Sequence, residues 1–171
     1  MSKHLILCIE AVKQSKTDML YIDKLIKETY KIDNSIKIDY IYLCGKRNYN
    51  NKKIIKYINK TIKMSQFNQK VVIYCIDLDD YDCSSETKKL NKDIKDFCVI
   101  KNFKYVWFCR DVEEVFWGKQ VSDTDKVQMA IKFNKKSKAF SSQLLSNLSS
   151  NVISKTKSNL VTVLDDILKR Q

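Results

Sequence analysis

Val71-Val72-Ile73-Tyr74-Cys75-Ile76-Asp77-Leu78-Asp79-Asp80-Tyr81-Asp82 passes from an unbroken apolar run into a run rich in acids. An apolar run of strand length without alternation is the pattern of a strand covered on both faces, as in a parallel sheet. Leu5–Ile9 and Tyr105–Cys109 repeat it, and Ile36–Leu43 alternates partly before Cys44-Gly45. Helical spacing fills the gaps. Thr17-Asp18 opens a stretch with Met19, Ile22, Ile26 and Tyr30 on one side. Ile54, Ile55, Ile58 and Ile62 follow at 50–64, and Leu90, Ile94, Phe97 and Cys98 at 85–98. This βαβαβαβ rhythm predicts an α/β fold: a mostly parallel four-stranded sheet flanked by helices, Rossmann-like in type.

Beyond Arg110 the pattern changes. A helix is expected to about Phe133, broken between Gly118 and Asp123. Residues 135–150 read as a loop or marginal helix, and 155–170 as an amphipathic helix with Leu160, Val163, Leu164, Ile167 and Leu168 on one side. The expected organisation is an α/β domain over 1–120 with a helical extension, 121–171, packed on or beside it.

The chain has 171 residues, no proline, two glycines, 44% hydrophobic residues and a net charge of +12. That length fits one domain with a real core. No apolar run reaches the roughly 20 residues of a membrane span, so a cytoplasmic location is expected. Cys8, Cys44, Cys75 and Cys109 each read as sitting inside an apolar, strand-like run and are expected to be reduced, buried hydrophobes. With no CxxC pair and His4 the only histidine, a structural zinc site is not expected. Serine or cysteine nucleophile chemistry lacks an imidazole beyond His4, and two glycines build no phosphate-cradling loop.

Acids stand where such sheets place their chemistry. In open α/β sheets ligands bind beyond the carboxyl ends of the strands. The first strand ends in Glu10 and the third in Asp77-Leu78-Asp79. If the chain stays extended there, Asp77 and Asp79 point to one side. Converging carboxylates repel, and a hard cation such as Mg²⁺ or Mn²⁺ relieves the repulsion. Each acid also has an ordinary explanation. Residues 77–82 can be a polar turn, Glu10 a strand terminator, and Glu113 and Glu114 first-turn helix acids favoured by the macrodipole.

The order and placement of these acids resemble the Toprim domain shared by topoisomerases and primases. The matching residues are Ile9-Glu10-Ala11, Thr17-Asp18, Cys44-Gly45-Lys46 and Asp77-Leu78-Asp79. Arg110-Asp111-Val112-Glu113-Glu114 is similar to the acidic helix after the last strand in small RloB-like and OLD-family Toprim proteins. The resemblance covers roughly residues 4–118. It departs at Ala11, where the family has glycine, in the longer loop Val12–Lys16, and in the unmatched tail. It implies a Mg²⁺- or Mn²⁺-dependent nuclease acting on RNA or DNA. Asp77 and Asp79 would hold the metal, Glu10 would share it or serve as acid/base, and Glu113 would be a further ligand. It also implies a phage-defence or mobile-element setting and a partner ATPase or homodimer. The alternative is a Toprim-like nucleic-acid-binding or interaction module without catalysis. Asp77-Leu78-Asp79-Asp80 also resembles the haloacid-dehalogenase phosphatases, but that family carries the motif on its first strand.

Charge is segregated. From Lys46 to Lys70 there are eight basic residues and no acid, with Lys52, Lys56 and Lys60 opposite the isoleucine face. A second acid-free stretch, 126–164, carries Lys126, Lys132, Lys135, Lys136, Lys138, Lys155 and Lys157. A field of this sign suits a phosphate backbone, and Lys46, Arg47, Lys52, Lys56 and Lys60 are the candidate nucleic-acid contacts. Lysine outnumbers arginine 29 to 3, a bias that codon drift also produces. Nucleic-acid affinity should fall steeply with salt. Lys52→Glu with Lys56→Glu and Lys60→Glu should weaken it about tenfold or more in a filter-binding titration. Wild type that does not bind at low salt would assign the lysines to codon drift.

Overall fold

The computed structural model describes residues 1–137 and 139–171, so Lys138 lies outside the described residues. Four parallel strands, β1 (Lys3–Ile9), β2 (Ile36–Tyr42), β3 (Gln69–Asp77) and β4 (Lys104–Phe108), form one sheet in the order β2-β1-β3-β4. Helices α1 (Thr17–Thr29), α2 (Lys52–Met64) and α3 (Ser85–Lys101) make the crossovers. The fold is therefore α/β with an all-parallel sheet flanked by helices, as the apolar runs predict.

Alternation along β1 divides the core. Leu5, Leu7 and Ile9 pack with Ile73, Cys75, Val106 and Phe108 under α1. Ile6 and Cys8 pack with Val72, Tyr74 and Ile76 under Ile58 of α2 and Ile94 and Cys98 of α3. Both faces of β1 are fully buried, which is why its sequence shows no polar alternation. The order 2-1-3-4 sends the chain left after β1 and right after β3. Their carboxyl ends thus flank the point where the winding reverses, the place where doubly wound sheets open a crevice.

The C-terminal third shares the α1-side core. Helices α4 (Val112–Trp117), α5 (Lys126–Lys135), α6 (Ser142–Leu148) and α7 (Leu160–Asp165) bury Phe116, Phe133, Leu148, Leu160 and Leu164 against Tyr21, Leu25 and Ile26. Phe133 lies against the rings of Tyr21, Phe116, Trp117 and Phe140, with centroids 5.1–5.7 Å away. The break expected between Gly118 and Asp123 separates α4 from α5. The marginal segment at 135–150 contains α6, capped by the Ser141 hydroxyl, which accepts from the Leu144 N–H at 3.2 Å.

Two expectations are corrected. The helix expected over 155–170 is only Leu160–Asp165. Ser158 bridges Phe108, and the Asn159 amide accepts from the Trp107 N–H at 2.9 Å and donates to the Tyr105 carbonyl at 3.0 Å. These residues serve β4, so a helix cannot begin until Leu160. At the other end Arg170 bridges Tyr30 in extended form. Cys44 is the second. It is exposed, because the strand ends at Tyr42 and a left-handed turn (φ 55°) carries the thiol outward after buried Leu43. Cys8, Cys75 and Cys109 are buried and free as expected. His4 is also buried, bonded to Ser65 and Asp39 at 2.9 Å each.

Phe133 is 2% exposed, and truncation of a buried phenylalanine costs about 3–5 kcal/mol. Phe133→Ala should lower urea stability by about that amount in a single transition. An unchanged main transition would mean that the extension is not part of the domain core.

Candidate active site

Glu10 follows β1 directly and is held from two sides. Its carbonyl accepts from the Gly45 N–H at 3.1 Å, and its Oε1 accepts from the Asp77 N–H at 2.8 Å. The sheet edge thus brings Glu10 and Asp77 into contact across the β1/β3 crevice. Beyond Asp77 the chain does not stay extended. Asp79 is left-handed (φ 49°), and its N–H donates to the carbonyl of Arg110, itself left-handed (φ 65°). Residues other than glycine occupy that region at a cost and often near sites of function.

This turn separates the two aspartates. Asp77 continues the Ile73/Cys75 side of β3, toward Asp18 of α1 and Glu113 of α4. The Asp79 carboxylate, 54% exposed, meets Lys46 Nζ at 2.6 Å. Lys46 is only 7% exposed. It also donates to the Asp77 carbonyl at 2.6 Å and to Asn91 Oδ1 at 3.1 Å. The lysine proposed from sequence to hold phosphate is therefore committed inside the edge. Arg47 pairs on the surface with Glu86 at 2.6 Å. Lys52, Lys56 and Lys60 are exposed on α2.

On the α1 side, Asp18 accepts from the Ala11 N–H at 3.0 Å and from the Thr17 hydroxyl at 3.1 Å, fixing the loop after Glu10. Asp111 caps α4 by accepting from the Glu114 N–H at 2.7 Å. Glu113 is 2% exposed. Lys126 Nζ is 3.4 Å from Asp111 and 4.0 Å from Glu113. Sequence reading named Glu10, Asp77, Asp79 and Glu113. It did not assign site roles to Asp18, Asp111 or Lys126, whose contribution depends on α1, α4 and α5 meeting at one sheet edge. The Asp18 signal was its place at the opening of α1, and Lys126 carried none beyond its charge.

The electrostatics follow from that crowding. Loss of water pushes Glu10 up to about 8, with Asp79 and Asp18 adding repulsion and Lys46 opposing it. Burial and the neighbouring Glu10 and Asp18 hold Asp77 well above the ordinary carboxylate range. Burial, with Asp18 and Asp111, raises Glu113 to about 7. Burial also raises Asp18. Asp77 Oδ1 and Glu113 Oε1 are closed off from solvent without a hydrogen-bond partner, as is Arg110 Nε. Native structures rarely leave such oxygens unmatched. Among the described residues no three His, Cys, Asp or Glu side chains are gathered as a metal-binding group.

The raised values fix the sign of a pH effect. Between the unfolded carboxylate value and the folded ones, the native state keeps protons that the unfolded chain has released. Stability should therefore fall as pH rises from about 4.5 to about 8. Urea denaturation in chelator should show this fall, and Glu10→Gln should flatten it. A flat profile for the wild type would show that these carboxylates are not buried as protonated groups.

Compared with protein-family models, with curated proteins and with solved structures, the chain matches none.

Proposed function

We propose that the β1/β3 crevice is the active centre of a metal-dependent phosphodiesterase acting on nucleic acid. The observation that carries the reading is the pair of solvent-excluded, unpartnered oxygens, Asp77 Oδ1 and Glu113 Oε1, beside Glu10 at the carboxyl edge of a parallel sheet. Hard carboxyl oxygens of this kind, which give up their protons when a cation enters, fit Mg²⁺ or Mn²⁺. Asp77 and Glu113 would hold the ion, while Asp79, turned away onto Lys46, would not reach it. When bound, such an ion neutralises a phosphodiester and makes water acidic enough to attack it. In the hydrolysis, water gives up a proton to solvent as its oxygen joins phosphorus, the bond to the leaving sugar oxygen breaks, and that oxygen takes a proton. Glu10, which keeps its proton to about pH 8, is suited to supply it. Arg110, whose carbonyl holds the Asp79 N–H, stands at the same edge, where a guanidinium suits a phosphate oxygen.

One observation favours a second reading. Lys46 and Lys126 already place ammonium groups among these acids. A crevice neutralised by lysines needs no metal, and the fold would then serve as a binding module.

Asp77→Asn and Glu10→Gln separate the two. The nuclease reading expects cleavage of a labelled oligonucleotide that requires Mg²⁺ or Mn²⁺ and stops in chelator. Either substitution should lower it by about two orders of magnitude or more while binding persists. Wild type that binds but never cleaves with any divalent ion would establish the binding module instead.

A further inference from the structure

A cleft of about 590 Å³ lies along the outer side of α3 and β4. Its floor includes Tyr81, Tyr105 and Trp107, and its rim carries Lys88, Lys92, Lys95 and Lys104. Its upper end is formed by Leu78 and Asn91. These two belong to the crevice as well: Leu78 follows Asp77, and Asn91 accepts from Lys46 while donating to the Leu78 carbonyl at 3.0 Å. The cleft therefore ends where buried Leu78 and Asn91 back onto Lys46, on the α3 side of the crevice, and descends beside β4.

We infer that this cleft is a track for single-stranded nucleic acid, which would make a single strand the substrate class of the proposed phosphodiesterase. The inference rests on that reading for its link to chemistry, though the binding does not depend on it. Three observations support it. First, the rim is complementary to phosphate. Lys92 is held by Asp96 at 2.7 Å and Lys104 lies 3.9 Å from Asp166, while among the described residues neither Lys88 nor Lys95 has a carboxylate within 4 Å. Lys88 and Lys95 stand about 10 Å apart along α3, two turns on one face. Second, Tyr81 and Tyr105 are half-buried in the floor beside Trp107, which is 7% exposed, and rings beneath a lysine rim are how sequence-tolerant single-strand sites hold bases. Third, a cleft of this volume admits unstacked bases and excludes a duplex, whose bases face inward and cannot reach Tyr105 or Trp107.

Binding is measured in chelator, so that cleavage plays no part, by anisotropy of a labelled oligouridylate or oligothymidylate of ~12 nucleotides. A hairpin duplex of the same charge is the comparison. The single strand is expected to bind at least about tenfold more tightly and to quench tryptophan fluorescence, a quench lost in Trp107→Phe but kept in Trp117→Phe. Lys88→Glu with Lys95→Glu should weaken binding about tenfold or more and lessen its salt dependence. Tyr105→Leu, which keeps an apolar side chain, should weaken it about fivefold or more. Lys132→Glu with Lys135→Glu makes the same charge change on α5, beyond the opposite face of the sheet, and should leave binding within twofold. Native circular dichroism of each variant excludes unfolding as the cause. Equal affinity for duplex and single strand, no binding by the wild type, or equal loss in the α3 and α5 variants would each overturn the track. Metal-dependent duplex cleavage without single-strand binding sinks the track and leaves the phosphodiesterase. Single-strand binding in the cleft without cleavage does the reverse.

Discussion

The hydrogen bond from the Asp77 N–H to Glu10 Oε1 ties the working edge of the molecule together. The last backbone pairing of β1 with β3 is Ile9 with Cys75. One step later β1 turns away, and the Glu10 carboxylate takes over as acceptor for the next β3 donor. The Glu10 carbonyl meanwhile holds Gly45 after β2. One residue thereby joins the ends of three neighbouring strands. In a buried setting it also brings a carboxyl group that has lost its water, and the protonation behaviour of the crevice follows from that.

Crowding then sets the charge balance. Glu10, Asp18, Asp77, Asp79, Asp111 and Glu113 share one end of the sheet, with Lys46 and Lys126 set among them. Burying an ionised carboxylate without a counter-charge is costly enough that the group holds its proton instead. The crevice therefore has three ways to be neutral: protons, the two ammonium groups, or an external cation. The two lysines divide the work by side, Lys46 from the α2/α3 face and Lys126 from the α1/α5 face. Asp77 lies between them, its carbonyl on Lys46 and its side chain toward Glu113.

Much of this was legible in the sequence because parallel strands buried on both faces write themselves as apolar runs. Leu5–Ile9, Val71–Ile76 and Tyr105–Cys109 placed three strands, and the intervening periodicities placed α1 to α3. The acids at strand ends could be found because an acid after such a run is conspicuous. Other features were hidden for physical reasons. No local pattern shows that Lys46 will fold inward onto Asp79, since a lysine after a glycine usually reads as surface. The left-handed turn at Asp79 is imposed by its bond to the Arg110 carbonyl, a contact between two separate strand ends. Likewise 155–170 has helical periodicity throughout, but tertiary bonds from Ser158 and Asn159 to β4 outweigh the weak local preference for continuing the helix.

The Asn159 amide has a consequence for the shape of the whole sheet. It accepts from one β4 residue and donates to another two positions away, as a peptide unit of a fifth strand would. Nearby, the Cys109 N–H is taken by the Lys157 carbonyl at 2.9 Å. A bare sheet edge is a template for unwanted pairing between molecules. Here a single side chain and a short crossing segment satisfy that edge without extending it. On this side the sheet stops at β4 because its ladder is already spent, and β4 can be apolar without offering a neighbour that edge to add to.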